Sequence, residues 1–169
     1  AQYNHETENL ANRLTVEEAG NVIKTIMEGD EDYQKAILEP DFVKHCNEAQ
    51  FNPERRLCGV GVSTCCMVAN GNVYPCAGWQ EMVLGNLNDT PLQEIWDNSE
   101  KIKWLRGLKM KDLGGGECCN CDKAAFCSPC LVRNANESPT GDPLEINRHF
   151  CAVAAKNKQI VLDWRNAHF

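Results

Sequence analysis

The sequence predicts an α+β fold in two parts: a helical segment over residues 1–56, and a small, irregular, cysteine-rich domain over residues 57–169 built on a short β-hairpin and a few helices. Three observations carry that expectation. Behind a capping-box signature at Thr15, apolar residues recur at helical spacing. Asn70-Gly71 separates two short β-prone runs, which is a hairpin signal. Ten of the eleven cysteines fall after position 57, within 94 residues, whereas residues 1–56 hold Cys46 alone.

In the first segment Leu14 precedes Thr15-Val16-Glu17-Glu18, and Ala19, Val22, Ile23, Ile26 and Met27 follow until Gly29-Asp30 ends the helix. Asp41 stands where it can cap a second helix carrying Phe42, Val43 and Cys46, closed by Asn52-Pro53. Cys46 there reads as a small buried apolar residue. The character of the chain changes at Arg55-Arg56. Beyond it, residues 66–69 and 72–76 form the hairpin arms, and Pro75, which lacks an amide donor, confines the second arm to an edge or an end. Thr90-Pro91 opens a helix with Thr90 as N-cap and Gln93 in the capping-box position; Leu92, Ile95, Trp96, Ile102 and Leu105 supply its apolar face. Gly107 and then Gly114-Gly115-Gly116 release the chain into a loop that delivers a second group of cysteines. After Cys151, the residues Val153, Ala154, Ile160, Val161 and Trp164 predict a terminal helix.

A chain of 169 residues can bury enough apolar surface to fold without staples, so its cysteine content needs a chemical reason. Disulfides, zinc and iron-sulfur compete. Residues 1–13 are polar and mixed in charge, with no apolar run behind a basic start, and no stretch approaches the ~20 apolar residues of a membrane span. The expected compartment is therefore the cytoplasm, where thiols stay reduced and more often hold metal than pair. With 24 acidic against 17 basic residues and a formal charge of -7, a nucleic-acid partner is disfavoured. The nearest thing to a basic stripe is Lys101, Lys103, Arg106, Lys109 and Lys111, whose plainer reading is a solvated helix face. His5, His45, His149 and His168 show no ligand spacing, and Trp79, Trp96, Trp104 and Trp164 read as core or shielding aromatics.

Cys118-x2-Cys121-x5-Cys127-x2-Cys130 gathers four thiols into thirteen residues, with Cys58 and Cys76 upstream and Cys151 downstream. Such spacing lets one short loop wrap an inorganic centre. Zinc would be satisfied by Cys118/Cys121 with Cys127/Cys130, giving a zinc-stabilised protein-binding module, but Cys58, Cys76 and Cys151 would then have no role. Two cubane clusters would use eight thiolates, namely those seven and either Cys65 or Cys66. One member each of Cys65-Cys66 and Cys118-Cys119 is expected to be a bystander, because successive side chains of an extended chain diverge.

The full pattern of Cys58, Gly71, Cys76, Cys118, Cys121, Cys127, Cys130 and Cys151 resembles the SPASM domain, the carboxy-terminal auxiliary-cluster domain of radical SAM enzymes that modify ribosomal peptides and proteins. Cys58-Gly59-Val60-Gly61, Gly71-Asn72-Val73-Tyr74-Pro75-Cys76, and Gly85-Asn86-Leu87 ahead of a Leu-x2-Ile-Trp helix share the resemblance, which covers about residues 57–155. It implies a domain wrapped around two 4Fe-4S clusters. Cys58, Cys65, Cys76 and Cys130 would hold the first, with Cys66 as the alternative to Cys65; Cys118, Cys121, Cys127 and Cys151 would hold the second. The clusters would relay electrons or bind substrate in the service of a precursor peptide or protein. Two departures stand out: Ser128-Pro129 leaves two residues where the family has three, and no Cys-x3-Cys-x2-Cys occurs. In the family that missing motif holds the cluster that cleaves S-adenosylmethionine. The expectation is therefore a carboxy-terminal part of an enzyme, with no catalytic residue of its own, the alternative being a freestanding protein that keeps only the cluster domain. The radical SAM barrel and its S-adenosylmethionine would lie in a missing part of the chain, and residues 1–56 would be the last helices of that barrel or the bridge from it.

Overall fold

A computed structural model describes residues 8–169; His5, with the rest of residues 1–7, lies outside the described residues. The fold is α+β. Its first helix, α1 (Val16–Gly29), opens on the expected capping box: the Thr15 hydroxyl accepts from the Glu18 amide at 3.2 Å, and the Glu18 carboxylate accepts from the Thr15 amide at 2.8 Å. Asp30 ends α1 and caps α2 (Glu31–Leu38), accepting from the Tyr33 amide at 2.9 Å. The sequence reading did not foresee α2, which has only eight residues to display a period. The third helix, α3 (Phe42–Glu48), buries Cys46 as expected, although Asp41 makes no side-chain cap bond there.

Two apolar clusters organise the chain. In one, Met27 of α1 and Ile37 of α2 close on Ile160 and Val161, with Phe42 and Trp164 at the margin. Ile160 and Val161 belong to the last helix, α7 (Arg148–His168), so the amino-terminal helices pack against the carboxy-terminal one. Each fully buried side chain of this kind contributes about 1.5–3 kcal/mol. Buried Arg165 of α7 donates to the Ile37 carbonyl, satisfying an end of α2. The helix starts at Arg148, before Cys151 rather than after it, because the Asn147 side chain caps it by accepting from the His149 amide at 3.2 Å.

The other cluster holds Leu57, Val60, Trp79, Leu105, Met110, Leu113, Leu131 and Val132, and the half-buried Cys76, Cys118, Cys127 and Cys130 pack against it. Beside it lies a sheet of β1 (Cys66–Met67), β2 (Asn72–Tyr74) and β3 (Gly85–Asn86), antiparallel throughout, with Cys66 opposite Tyr74 and Val73 opposite Gly85. The hairpin turn is longer than a two-residue Asn-Gly loop: the Gly71 amide closes it on the Val68 carbonyl at 2.9 Å, with Gly71 at φ +87°. Pro75 directly follows β2, at an end, as its missing donor requires.

The single helix expected from Thr90 is two. Pro91, extended at ψ 146°, takes the N-cap position of α4 (Leu92–Asn98), so Thr90 is displaced from it and no side-chain cap bond forms. Ser99, at ψ 123°, ends α4 and begins α5 (Glu100–Gly107). The glycine loop is likewise more ordered than expected. Gly114, Gly115 and Gly116 have φ of +55°, +61° and +88°, a left-handed turn inside the 3₁₀ run Met110–Asn120. The basic stripe is largely occupied in tying segments together: Arg106 donates to the Gly61 carbonyl at 2.7 Å, Lys101 to Val83 at 2.7 Å, and Lys111 pairs with Glu54 at 2.6 Å. Trp79 is core at 3 % exposure, whereas Trp104 is 42 % exposed and shields nothing. No described helix is long and apolar enough to cross a membrane.

Candidate metal centre

The central cysteines are positioned by turns that step three residues at a time. The Cys121 amide bonds to the Cys118 carbonyl at 3.3 Å, Ala124 to Cys121 at 3.2 Å, and Cys127 to Ala124 at 3.4 Å. In 3₁₀ geometry side chains three apart eclipse, so Cys118 and Cys121 share a side. Cys119, one residue on, turns instead into the core and is 7 % exposed.

Cys127 and Cys130 both line a small cavity with Cys118 and Cys151, but Cys127 meets Cys151 and Cys121 whereas Cys130 meets Cys58. Cys127 and Cys130 are both extended, at φ -123°, ψ 137° and φ -138°, ψ 112°, and Ser128 is confined to extended backbone by Pro129. Cys130 then leads into α6 (Leu131–Glu137), whose Leu131, Val132 and Ala135 anchor it in the core.

Cys151 comes to the first three of these thiols through α7. Arg148 lies one turn before it on the same face and holds Glu117, the neighbour of Cys118, by two bonds at 2.6 and 2.8 Å. Further along α7, Lys158 donates to the carbonyl and carboxylate of Asp122 at 2.9 and 3.2 Å. Two ionic staples thus dock one face of α7 on the loop that carries Cys118, Cys121 and Cys127.

Electrostatics divides the thiols into the same two groups. Burial pushes the Cys118 thiol from 9.0 up to about 11, and the charges of Cys151, Cys121 and Cys127 push with it. Burial likewise raises Cys127, with Cys151 and Cys121 adding to it, and raises Cys151, where Arg148 opposes. Cys58 belongs to the other group: burial raises its thiol, an amide bond from Val60 offsets part of this, and Cys130 and Cys76 raise it further. Cys76 follows β2 and accepts from the amide of buried Trp79 at 3.0 Å.

Cys65 is exposed and lines a separate surface groove with Val62, Leu92, Gln93 and Trp96, and Cys66 lies half-buried in β1. Sequence reasoning overlooked the charged side chains around the second group. Their signal was present, since Arg148 stands three residues before Cys151, Lys123 two after Cys121, and Arg133 three after Cys130.

Among the described residues, no three of His, Cys, Asp and Glu are gathered closely enough to hold a single metal ion. The donor set is nevertheless suited to iron-sulfur cores, which take thiolate ligands from one to several iron atoms and so draw on a wider circle of sulfurs.

Residues 58–122 match the family model of SPASM, described as an iron-sulfur cluster-binding domain. Cys127, Cys130 and Cys151 lie beyond the matched span. Among curated proteins the chain is similar to the AdoMet-dependent heme synthase of Methanosarcina barkeri, 33% identical over 88 residues, which is 52% of this chain and 24% of that protein. The proteins of the same name from Oleidesulfovibrio alaskensis and Nitratidesulfovibrio vulgaris are 35% identical over 78 residues and 34% over 83, covering 46% and 49% of this chain and 19% and 22% of theirs. The chain thus matches a quarter or less of the length of these relatives. No solved structure matches it. From Cys58 to Asp122, less than half of its length, the chain is similar to the SPASM iron-sulfur cluster-binding domain.

Proposed function

We propose that this chain is the auxiliary-cluster part of a radical SAM enzyme and holds two 4Fe-4S clusters. Cys58, Cys76 and Cys130 ligate the first, with Cys65 as the fourth thiolate; Cys118, Cys121, Cys127 and Cys151 ligate the second. The observation that carries this reading is the division of the thiols by the partners that each meets. The thiols that act on Cys58 are Cys130 and Cys76, whereas Cys118 and Cys127 respond to Cys121 and Cys151. A zinc site on the two Cys-x2-Cys pairs leaves Cys58, Cys76 and Cys151 without a role.

The clusters, when bound, accept and pass single electrons. The protein's share is to supply thiolates, to shield them with Trp79 and Leu113, and to set the surrounding charge. The chemistry on substrate belongs to a barrel elsewhere in the enzyme, which binds S-adenosylmethionine. Its substrate is a precursor peptide or protein in the reading drawn from the resemblance. The relatives' printed name favours a second reading, in which the reaction serves haem formation. Because that similarity spans a quarter or less of those proteins, the choice between the two substrates falls to experiment.

Anaerobic reconstitution tests the cluster assignment. About eight irons and eight sulfides per chain are expected. Cys65→Ser is expected to change the electron paramagnetic resonance signal of one cluster, and Cys66→Ser to leave both unchanged. A colourless protein carrying stoichiometric zinc overturns the reading. To decide the substrate, the complete enzyme is assayed for modification of a peptide against conversion of a tetrapyrrole.

A further inference from the structure

Arg13, just ahead of α1, donates to Glu137 at the end of α6 at 2.8 Å, and the two side chains are only 34 % and 16 % exposed. The same carboxylate oxygen, Oε2, accepts from the Asn147 side-chain amide at 2.9 Å. Asn147 is the N-cap of α7, and the other end of its amide, Oδ1, accepts from the His149 backbone at 3.2 Å. The amino-terminal segment touches this turn a second time, through a hydrogen bond between the His149 ring and the Leu14 backbone. Three residues far apart in sequence, Arg13, Glu137 and Asn147, thus meet at the start of the helix whose first turn carries Cys151.

A side-chain amide donates at one end and accepts at the other, so the group that takes its N–H decides which end faces the helix. Glu137 takes it, which leaves the Asn147 oxygen for a backbone donor that the helix itself cannot satisfy. Packing does not impose this orientation, because Arg13, Glu137, Asn147 and His149 line a cavity of about 230 Å³. Arg148 also ties the turn to Glu117, but those side chains are 68 % and 57 % exposed, and an exposed ion pair holds less firmly than a part-buried one. Resting on the reading of Cys151 as a ligand of the second cluster, we infer that Glu137 is a positioning residue: its carboxylate, held by Arg13, orients the cap of α7 and so sets Cys151 toward Cys118, Cys121 and Cys127. The segment ahead of α1 thereby governs how firmly the second cluster is held.

The test uses the full chain loaded with clusters. Iron is counted first, then hydrogen exchange across residues 147–152 is followed together with the rate at which a chelator strips each cluster, the two phases being assigned with Cys58→Ser and Cys151→Ser. Arg13→Met is expected to quicken exchange at the start of α7 about fivefold, the effect of losing an N-cap. Stripping of the second cluster should hasten by a similar factor while the first keeps its rate. Asn147→Asp separates orientation from capping. Aspartate caps a helix as well as asparagine does, but it has no N–H for Glu137 and meets a like charge there, so this variant should loosen the turn as Arg13→Met does. Adding Glu137→Gln returns a donor to the pair and is expected to restore most of the protection, a rescue that general destabilisation would not produce. The rescue also keeps the test decisive should Arg13→Met load poorly. Asn147→Asp that behaves like the unmodified chain, a double variant no better than the single one, or equal hastening of both clusters overturns the inference. Well under eight irons per chain in the unmodified protein overturns the two-cluster reading instead.

Discussion

Cys118 and Cys119 are neighbours with different surroundings: one faces three other thiols and the other sits in the core. The difference has a chemical consequence. With its thiol pushed up to about 11, Cys118 is protonated at neutral pH in the metal-free chain, as are Cys58, Cys127 and Cys151, all raised first by burial. A cluster binds the thiolate, so loading must expel these protons. Binding therefore strengthens as pH rises, by about tenfold per pH unit for each proton expelled. A pH-stat record of anaerobic reconstitution should show several protons released per chain, and loading that is indifferent to pH between about 7 and 9 would contradict it. For the metal-free fold the sign is reversed. A thiol raised in the folded state keeps its contribution below the ordinary 9.0 and loses it as pH climbs toward about 11, so the metal-free chain should melt progressively more easily in alkali.

The hairpin shows how one backbone position governs an element. Asn86 donates to the Asn70 carbonyl at 3.1 Å and to Asn72 Oδ1 at 2.9 Å, and Asn88 donates to the same carbonyl at 3.1 Å, lacing β3 across the turn. Gly71 sits beneath this lacing at φ +87°, where a Cβ would come within 2.6 Å of Asn86 Oδ1 and 2.7 Å of Asn88 Nδ2. Gly71→Ala is expected to cost about 2–3 kcal/mol in chemical denaturation, from left-handed strain together with the broken asparagine bonds. Gly107→Ala, at the end of α5 with nothing within 4 Å, should be neutral or stabilising by up to about 1 kcal/mol. This hairpin was legible in advance because Asn-Gly is a strong local signal, and so was the cap of α1. The third strand was not, since Gly85–Asn86 is only two residues and gains its place from the asparagine lacing rather than from β-propensity. Nor was the break at Ser99, because Ile95, Ile102 and Leu105 keep a helical period across it and all three are buried. In the candidate site, cysteine spacings of three and six match the 3₁₀ period that unites Cys118 with Cys121. Arg148 was legible as a neighbour of Cys151, one helical turn away, whereas Lys158 reaches Asp122 by tertiary docking of α7, which no spacing announces.

The two apolar clusters differ in what sustains them. Met27, Ile37, Ile160 and Val161 join regular helices through side-chain packing that needs no metal, whereas the cluster around Trp79 and Leu113 is bordered by Cys76, Cys118, Cys127 and Cys130 on segments with little regular structure. Short 3₁₀ turns and two-residue strands have few internal bonds with which to resist opening, so their order depends on whatever draws the thiols together. α7 takes part in both regions, with Cys151 in its first turn and Val161 buried ten residues further on, and so does the turn at residues 124–126, whose Ala124 lies in one cluster and Phe126 against the other. Removing the metal from a loaded chain should therefore act unequally. Hydrogen exchange is expected to quicken at least tenfold across residues 110–127 and at the start of α7, while the amides of α1 and of α7 near Val161 keep their protection. The reverse pattern is expected from Ile37→Ala, which empties a fully buried site at a cost of about 2–5 kcal/mol. That variant should loosen α1, α2 and the later turns of α7 yet still load iron. Uniform loss of protection in both cases would mean that the chain opens as one cooperative unit, and the division between a helical core and a metal-dependent one would have to be abandoned.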